Sequence, residues 1–195
     1  LVATLLYPSK MIFAVTHSAE PDITKSYINP TGKRFPILAW YSIRPDSAIT
    51  KARYMEMAEA GFNISFSHFT ERAEVAKALE ASKGTGVMQM ITCGDLENKT
   101  AEVVNQFKNE EMVAGWFLRD EPICSGFKEL KDFKDRVLAN DRKHVVYLNL
   151  NPNYAPATFL GAKSYRDYVE RFVNEVNLGL ISFDHYPIIK EGNQE

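Results

Sequence analysis

Near the middle of the chain, Trp116-Phe-Leu-Arg-Asp-Glu-Pro122 runs from apolar residues straight into two acids and a proline. Pro122 lacks an N–H and so ends a strand ladder, and it biases Glu121, the residue before it, toward an extended backbone. A carboxyl fixed at a strand end and partly shielded from water holds its proton to higher pH. It can then give that proton to a leaving oxygen, which is the work of the general acid in glycoside hydrolysis. The same acids also suit the start of a helix, near its positive N-terminal end. A second segment, Ser182-Phe-Asp-His-Tyr-Pro187, has the same plan and brings Asp184, His185 and Tyr186 to the end of another apolar run.

Other apolar runs close on residues suited to holding a polyhydroxylated ligand. Trp40 and Tyr41 close the first, and His68 and Phe69 the second. Asn149 and Asn151 close the fifth, and period-two alternation puts both on one side. A lone histidine such as His68 is as well explained by a structural hydrogen bond as by a ligand contact. Trp116, four residues before the acids, reads as core. Arg119 either keeps a neighbouring acid ionised, binds an acidic sugar, or forms an ion pair in the wall of the fold. Cys93 and Cys124 are too few for a disulfide scaffold and read as free thiols, each near a strand end.

These residues need a frame that gathers strand ends, and the pattern supplies one. The apolar runs are 36–43, 63–69, 87–93, 113–122, 144–152 and 178–187. Between them lie amphipathic stretches. Tyr54, Met57 and Ala58 mark the inner face of the first, which starts near Ser47 and stops at Gly61. Thr70 offers a cap to the second, which carries Val75 and Leu79 inward and ends near Gly84. Val103, Val104 and Phe107 mark the third, and Phe127, Leu130, Phe133 and Val137 the fourth, which opens near Ser125. Ser164 through Asp167 has capping-box spacing and opens a helix burying Tyr168, Phe172 and Val176.

Strand starts recur every ~25 to 35 residues, the size of one βα unit. Strands alternating with helices imply a parallel sheet with right-handed crossovers. No glycine-rich phosphate loop follows the first strand, where Ser42-Ile-Arg-Pro-Asp46 stands, so a dinucleotide fold is disfavoured and no cofactor is expected. Polar strand ends favour a TIM (β/α)₈ barrel, whose catalytic face is built there. About six units are present where a barrel takes ~250 residues, so the barrel is expected to be incomplete in this chain, with strands seven and eight beyond it.

The chain has 195 residues, 45% hydrophobic and 25% charged, with 12% aromatics and a net charge of −2. That charge gives no basic field for nucleic acid or anionic lipid. No apolar run reaches the ~18 residues of a membrane span. Residues 1–34 read as an N-terminal extension. Its first 19 residues share some features of a secretory signal, interrupted by Pro8 and Lys10. A periplasmic or extracellular location is the expectation that follows, with a cytoplasmic one left open.

Arg119-Asp-Glu-Pro122 at the fourth strand resembles the Asn-Glu-Pro that ends strand four in the clan of retaining β-glycosidases with (β/α)₈ barrels. That clan includes cellulases, β-galactosidases and β-mannanases. The resemblance implies a glycoside hydrolase with a carbohydrate substrate and Glu121 as general acid/base. It puts Asp120 where the clan has a sugar-binding Asn; an Asp accepts a hydrogen bond but offers no amide N–H. Ser182 through Pro187 resembles the strand-six ends of β-galactosidase-like members, which sets His185 or Tyr186 near the nucleophile. The pair of motifs also resembles glycosidase-like proteins of gut Bacteroidetes. The clan's nucleophile is a Glu ending strand seven, to which no residue here corresponds; Glu191 and Glu195 follow strand six too closely. Trp40, Tyr41, His68, Asn149, Asn151, Asp184, His185 and Tyr186 complete the expected substrate contacts. Two other readings stay open. One is a non-catalytic carbohydrate-binding barrel protein. The other is a metal-dependent TIM-barrel hydrolase using His68, Glu121, Asp184 and His185, although no His-x-His or His-x-x-x-His spacing is present.

Overall fold

The computed structural model describes residues 29–45 and 48–186. The possible secretory segment, Glu191 and Glu195 lie outside the described residues. Five strands, β1 (Leu38–Ala39), β2 (Ile64–Phe66), β3 (Met88–Ile91), β4 (Val113–Asp120) and β5 (Val145–Asn149), form one sheet in the order β1-β2-β3-β4-β5. Every pair is parallel. Helices α1 (Lys51–Glu59), α2 (Arg72–Ser82), α3 (Thr100–Phe107) and α4 (Phe127–Asn140) make the crossovers. After β5 come α5 (Ala157–Leu160) and α6 (Tyr165–Arg171), the latter widening into a π turn at Phe172–Val176.

Two apolar layers explain the alternation. Helix faces pack on one side of the sheet, burying Tyr54, Val75, Leu79, Val103, Val104, Phe107, Phe127, Leu130, Phe133, Val137, Tyr168, Phe172 and Val176 against Trp116, Val146 and Leu148. A smaller cluster of Ile64, Phe66, Met90, Ala114 and Phe117 fills the other side, with Leu38, Trp40 and Tyr147 against it. In a flat sheet, strands three places apart stand about 14 Å from each other. Trp40, just after β1, nevertheless meets Phe117 of β4 with ring centroids 5.4 Å apart. The sheet therefore curls, and the smaller cluster is the inside of a half-barrel.

Two irregularities in β4 set what faces inward. The register slips between Gln89 and Met90 on β3, and again between Phe117 and Asp120 on β4. Each inserts an extra residue, which bends the strand and breaks simple alternation. Gly115 lies at the first bend. A Cβ there would overlap the carbonyl of Val145, so only glycine lets β4 and β5 approach.

Several expected boundaries move. The first strand shrinks to two residues, leaving Trp40 and Tyr41 in the turn that follows. Helix α1 opens at Lys51 under a Thr50 cap, four residues past Ser47. Helix α2 is capped by Glu71 in a reciprocal box with Glu74, not by Thr70, because Glu74 reaches back to both the Thr70 and Glu71 amides. The sixth run makes a single parallel bridge, Leu150 to Phe183, rather than a full strand. Ser164 caps α6 as its spacing predicts, accepting from the Asp167 amide at 3.1 Å.

Candidate active site

Parallel strands deliver their C-terminal ends to one rim. Asp120 and Glu121 arrive there from β4, Asn149 from β5, and Asp184 just past the Phe183 bridge. The amide of Asn149 sits among them. Its Nδ2 donates to Asp184 Oδ1 at 2.6 Å and to Asp120 Oδ1 at 3.4 Å. Its Oδ1 accepts from the Ser182 hydroxyl at 3.2 Å, and Ser182 is 2.9 Å from the Tyr147 hydroxyl.

Glu121 does not have the extended backbone expected before a proline. Its φ is +43°, in the left-handed region. Tertiary bonds override the local bias. The Glu121 N–H donates to the Asn149 carbonyl at 2.8 Å, extending the ladder one step past β4. Beyond it, Asn151 Nδ2 donates to the carbonyls of Glu121 at 3.0 Å and Pro122 at 3.2 Å. The Tyr168 hydroxyl donates to the Pro122 carbonyl at 2.6 Å. Burial pushes the Tyr168 hydroxyl up to about 12, so it remains a donor. The chain must turn sharply between these anchors. The acids do not open a helix: Cys124–Gly126 forms a tight turn first, and α4 starts at Phe127.

Partial desolvation raises the Glu121 carboxyl above its ordinary value even though the residue is exposed, and hydrogen bonding with Asp184 and repulsion from Asp184 and Asp120 add to it. Asp120 is also raised, by desolvation and by Asp184, against the opposing pull of Asn149 and His68. His68 is lowered by burial, with Asp120 pulling the other way. Glu121 and Asp120 therefore hold protons more firmly than free carboxylates do, as a general acid requires.

An aromatic floor lies beside the acids. Phe66 meets Trp40 at 4.6 Å and Phe117 at 4.4 Å, and Phe117 meets Tyr147 at 5.9 Å. Tyr41 stacks on His68 at 4.7 Å and is 64% exposed. Tyr41 has φ +49°, in the left-handed region. Tyr186 puts its hydroxyl 3.5 Å from Asp184 Oδ2, and His185 is next to it in the chain.

Not every expected residue faces the mouth. Asn151 is 2% exposed and spends its amide on backbone carbonyls, so it braces the Glu121 turn instead of meeting a ligand. The second bend of β4 turns Arg119 outward, where it pairs with Glu97 at 2.7 Å, so it is a wall ion pair. Trp116 is core, its Nε1 donating to Asp141 at 2.9 Å. Cys93 and Cys124 are free and buried, and burial pushes both thiols up. Among the described residues no group of three or more His, Cys, Asp or Glu is placed to hold a metal ion, so the four donors named for a metal site do not gather into one. No described helix is long and apolar enough to cross a membrane. Tyr147, Ser182 and the Tyr168 hydroxyl join the site without having been expected from sequence. For the first two a signal existed: each stands two residues before a site residue, on the same face.

No family model and no curated protein sequence matches the chain. Solved structures do. The β-mannanase of the blue mussel Mytilus edulis is 12% identical, with a TM-score of 0.55, covering 83% of this chain and 73% of that one. A glycosyl hydrolase family 2 member from Bacteroides cellulosilyticus is 14% identical, with a TM-score of 0.51, covering 76% of this chain and 21% of that one. The endo-1,4-β-mannanase of Eisenia fetida is 13% identical, with a TM-score of 0.47, covering 68% of this chain; the chain spans 59% of its length. The first two share the parallel α/β half-barrel of this chain. These structural neighbours are glycoside hydrolases at low identity, and the likeness speaks to fold.

Proposed function

We propose that this chain carries the acid half of a retaining β-glycosidase built on a (β/α)₈ barrel, with Glu121 as general acid/base. The carrying observation is the placement of Glu121: at the rim where the strands end, beside Asp184 and Asp120, where partial desolvation first and those two acids second raise its carboxyl above the ordinary value. Half-buried Trp40, backed by the buried rings of Phe66 and Phe117, and the exposed Tyr41–His68 stack offer flat apolar surface of the kind that sugar rings cover. Low-identity likeness to glycoside hydrolases supports the same reading at the level of fold. In this mechanism Glu121 protonates the leaving oxygen, then takes a proton from the incoming water. The nucleophile is a second carboxyl ~5 Å away, which we assign to no residue of this chain. A periplasmic or extracellular site of action, where polysaccharides are met, belongs to the same proposal.

The test is Glu121→Gln in the full-length protein. Hydrolysis of glycosides with poor leaving groups is expected to fall by ~10²- to 10⁴-fold, while aryl glycosides with acidic leaving groups are slowed far less. Equal losses on both overturn the acid role. Oligosaccharide binding without hydrolysis of any glycoside would instead favour a non-catalytic carbohydrate-binding protein.

A further inference from the structure

Three carboxyls meet at the rim, and an unassisted trio has no reason to leave its proton on one particular member. The amide of Asn149 supplies a reason. An amide nitrogen has two protons to give, and a carboxylate can only accept. Both of those protons are spent, one on Asp184 at 2.6 Å and one on Asp120 at 3.4 Å. The opposite end of the amide is fixed by the Ser182 hydroxyl, itself tied to Tyr147. Donated hydrogen bonds favour the charged form of the group receiving them. Glu121 gets neither amide proton; Asn149 binds it only through backbone, from the Glu121 N–H to the Asn149 carbonyl at 2.8 Å.

We propose that Asn149 is a positioning residue that assigns the proton of this cluster to Glu121, by giving its two amide protons to Asp120 and Asp184 and none to Glu121. Glu121 as the acid of a hydrolytic reaction rests on the proposed function; the proton assignment stands without it. Asn149 then has a different part from the one expected of it. With both amide protons used, it has none left for a sugar hydroxyl. The titratable groups that face the cluster are His68 after β2, Asp120 on β4, Tyr147 on β5, and Asp184 and Tyr186 on the sixth segment. None of them donates to both aspartates, as the Asn149 amide does, and so none sets Glu121 apart from the pair.

The experiment is a ¹³C NMR titration of side-chain carboxyls in the whole protein, with Glu121→Gln and Asp184→Asn assigning the signals. In the unmodified protein Glu121 should lose its proton after Asp120 does. In Asn149→Ala its midpoint should fall by about one pH unit while that of Asp120 rises, having lost the Asn149 hydrogen bond that lowers it. A Glu121 midpoint that stays put in Asn149→Ala overturns the proposal. Should that variant lose its folded amide spectrum, Ser182→Ala releases the same amide with less disturbance. It should move Glu121 in the same direction, and no movement there is equally fatal. Because the readout needs no substrate, the expected titration with unchanged Glu121→Gln kinetics would sink the acid role alone. An unmoved midpoint with the expected kinetics would sink only the assignment to Asn149.

Discussion

A glutamate in the left-handed region is a cost carried for the sake of position. Side chains with a Cβ lose about 1–2 kcal/mol there relative to the right-handed well. Such residues persist where surroundings over-determine them, often at functional sites. At Glu121 the surroundings are the Asn149 carbonyl, the Asn151 amide and the Tyr168 hydroxyl. The carboxyl adds a second cost. Its folded value is raised, so its contribution to stability is full below the ordinary carboxylate range and is lost as pH rises through the raised value. Two variants separate the costs. Glu121→Gly and Glu121→Ala both remove the carboxyl, so they share any gain at neutral pH. Only Gly relieves the backbone, and it should be the more stable of the two by about 1 kcal/mol in urea denaturation. Equal stabilities would mean that φ at this position relaxes once the side chain is gone. Much at this scale was legible: the acid, its proline and Asp184 stand out in sequence because polar groups end apolar runs. The sign of φ was not, because three long-range hydrogen bonds decide it against the local bias of the X-Pro step.

Among elements, helices were easier to read than strands. The inward faces of α3 and α4 follow directly from 3.6-residue periodicity. The bends of β4 were invisible, since an extra residue depends on the partner strand's register and leaves no mark in composition. Yet they decide that Asp120 faces in and Arg119 out. The joint between β4, α4 and β5 depends on one buried carboxylate. Asp141 accepts from Trp116 Nε1 at 2.9 Å, from the Lys143 amide at 2.8 Å and from the His144 amide at 3.3 Å, and lies 2.6 Å from His144 Nδ1. Burial pushes this carboxyl up, but the bonds from His144, Trp116 and Lys143 outweigh it and hold it below its ordinary value. Its contribution is therefore present above the unfolded value of about 3.9 and lost as pH falls through the lower folded value. Asp141→Ala leaves these donors buried without their acceptor and should cost ~2–4 kcal/mol at pH 7. In urea titrations the gap to the unmodified protein should narrow toward pH 3. A gap independent of pH would mean that packing, not the carboxylate, carries the joint.

Over the whole molecule, the alternation of runs reveals a parallel curled sheet, but not how unevenly it is held. Strand β4 is buried through Leu118 and is flanked by paired strands on both sides. At one margin β1 pairs over two half-buried residues. At the other, the sixth segment is joined by one bridge, with Phe183 52% exposed, and that segment carries Asp184 into the candidate site. A backbone hydrogen bond opens at a free energy set by how much packing must come apart with it, so protection should fall from the centre outward. Native-state hydrogen exchange should find the slowest amides in β3, β4 and β5. The Leu150 and Asp184 amides, which bond Ser182 and Leu150 carbonyls across the last bridge, should exchange by local opening well below the global free energy. With Glu121 directly after the best-held strand and Asp184 on the least-held segment, that segment should open without moving Glu121. Equal protection for β4 and the sixth segment would refute this division, because the bridge would then open only when the whole sheet does.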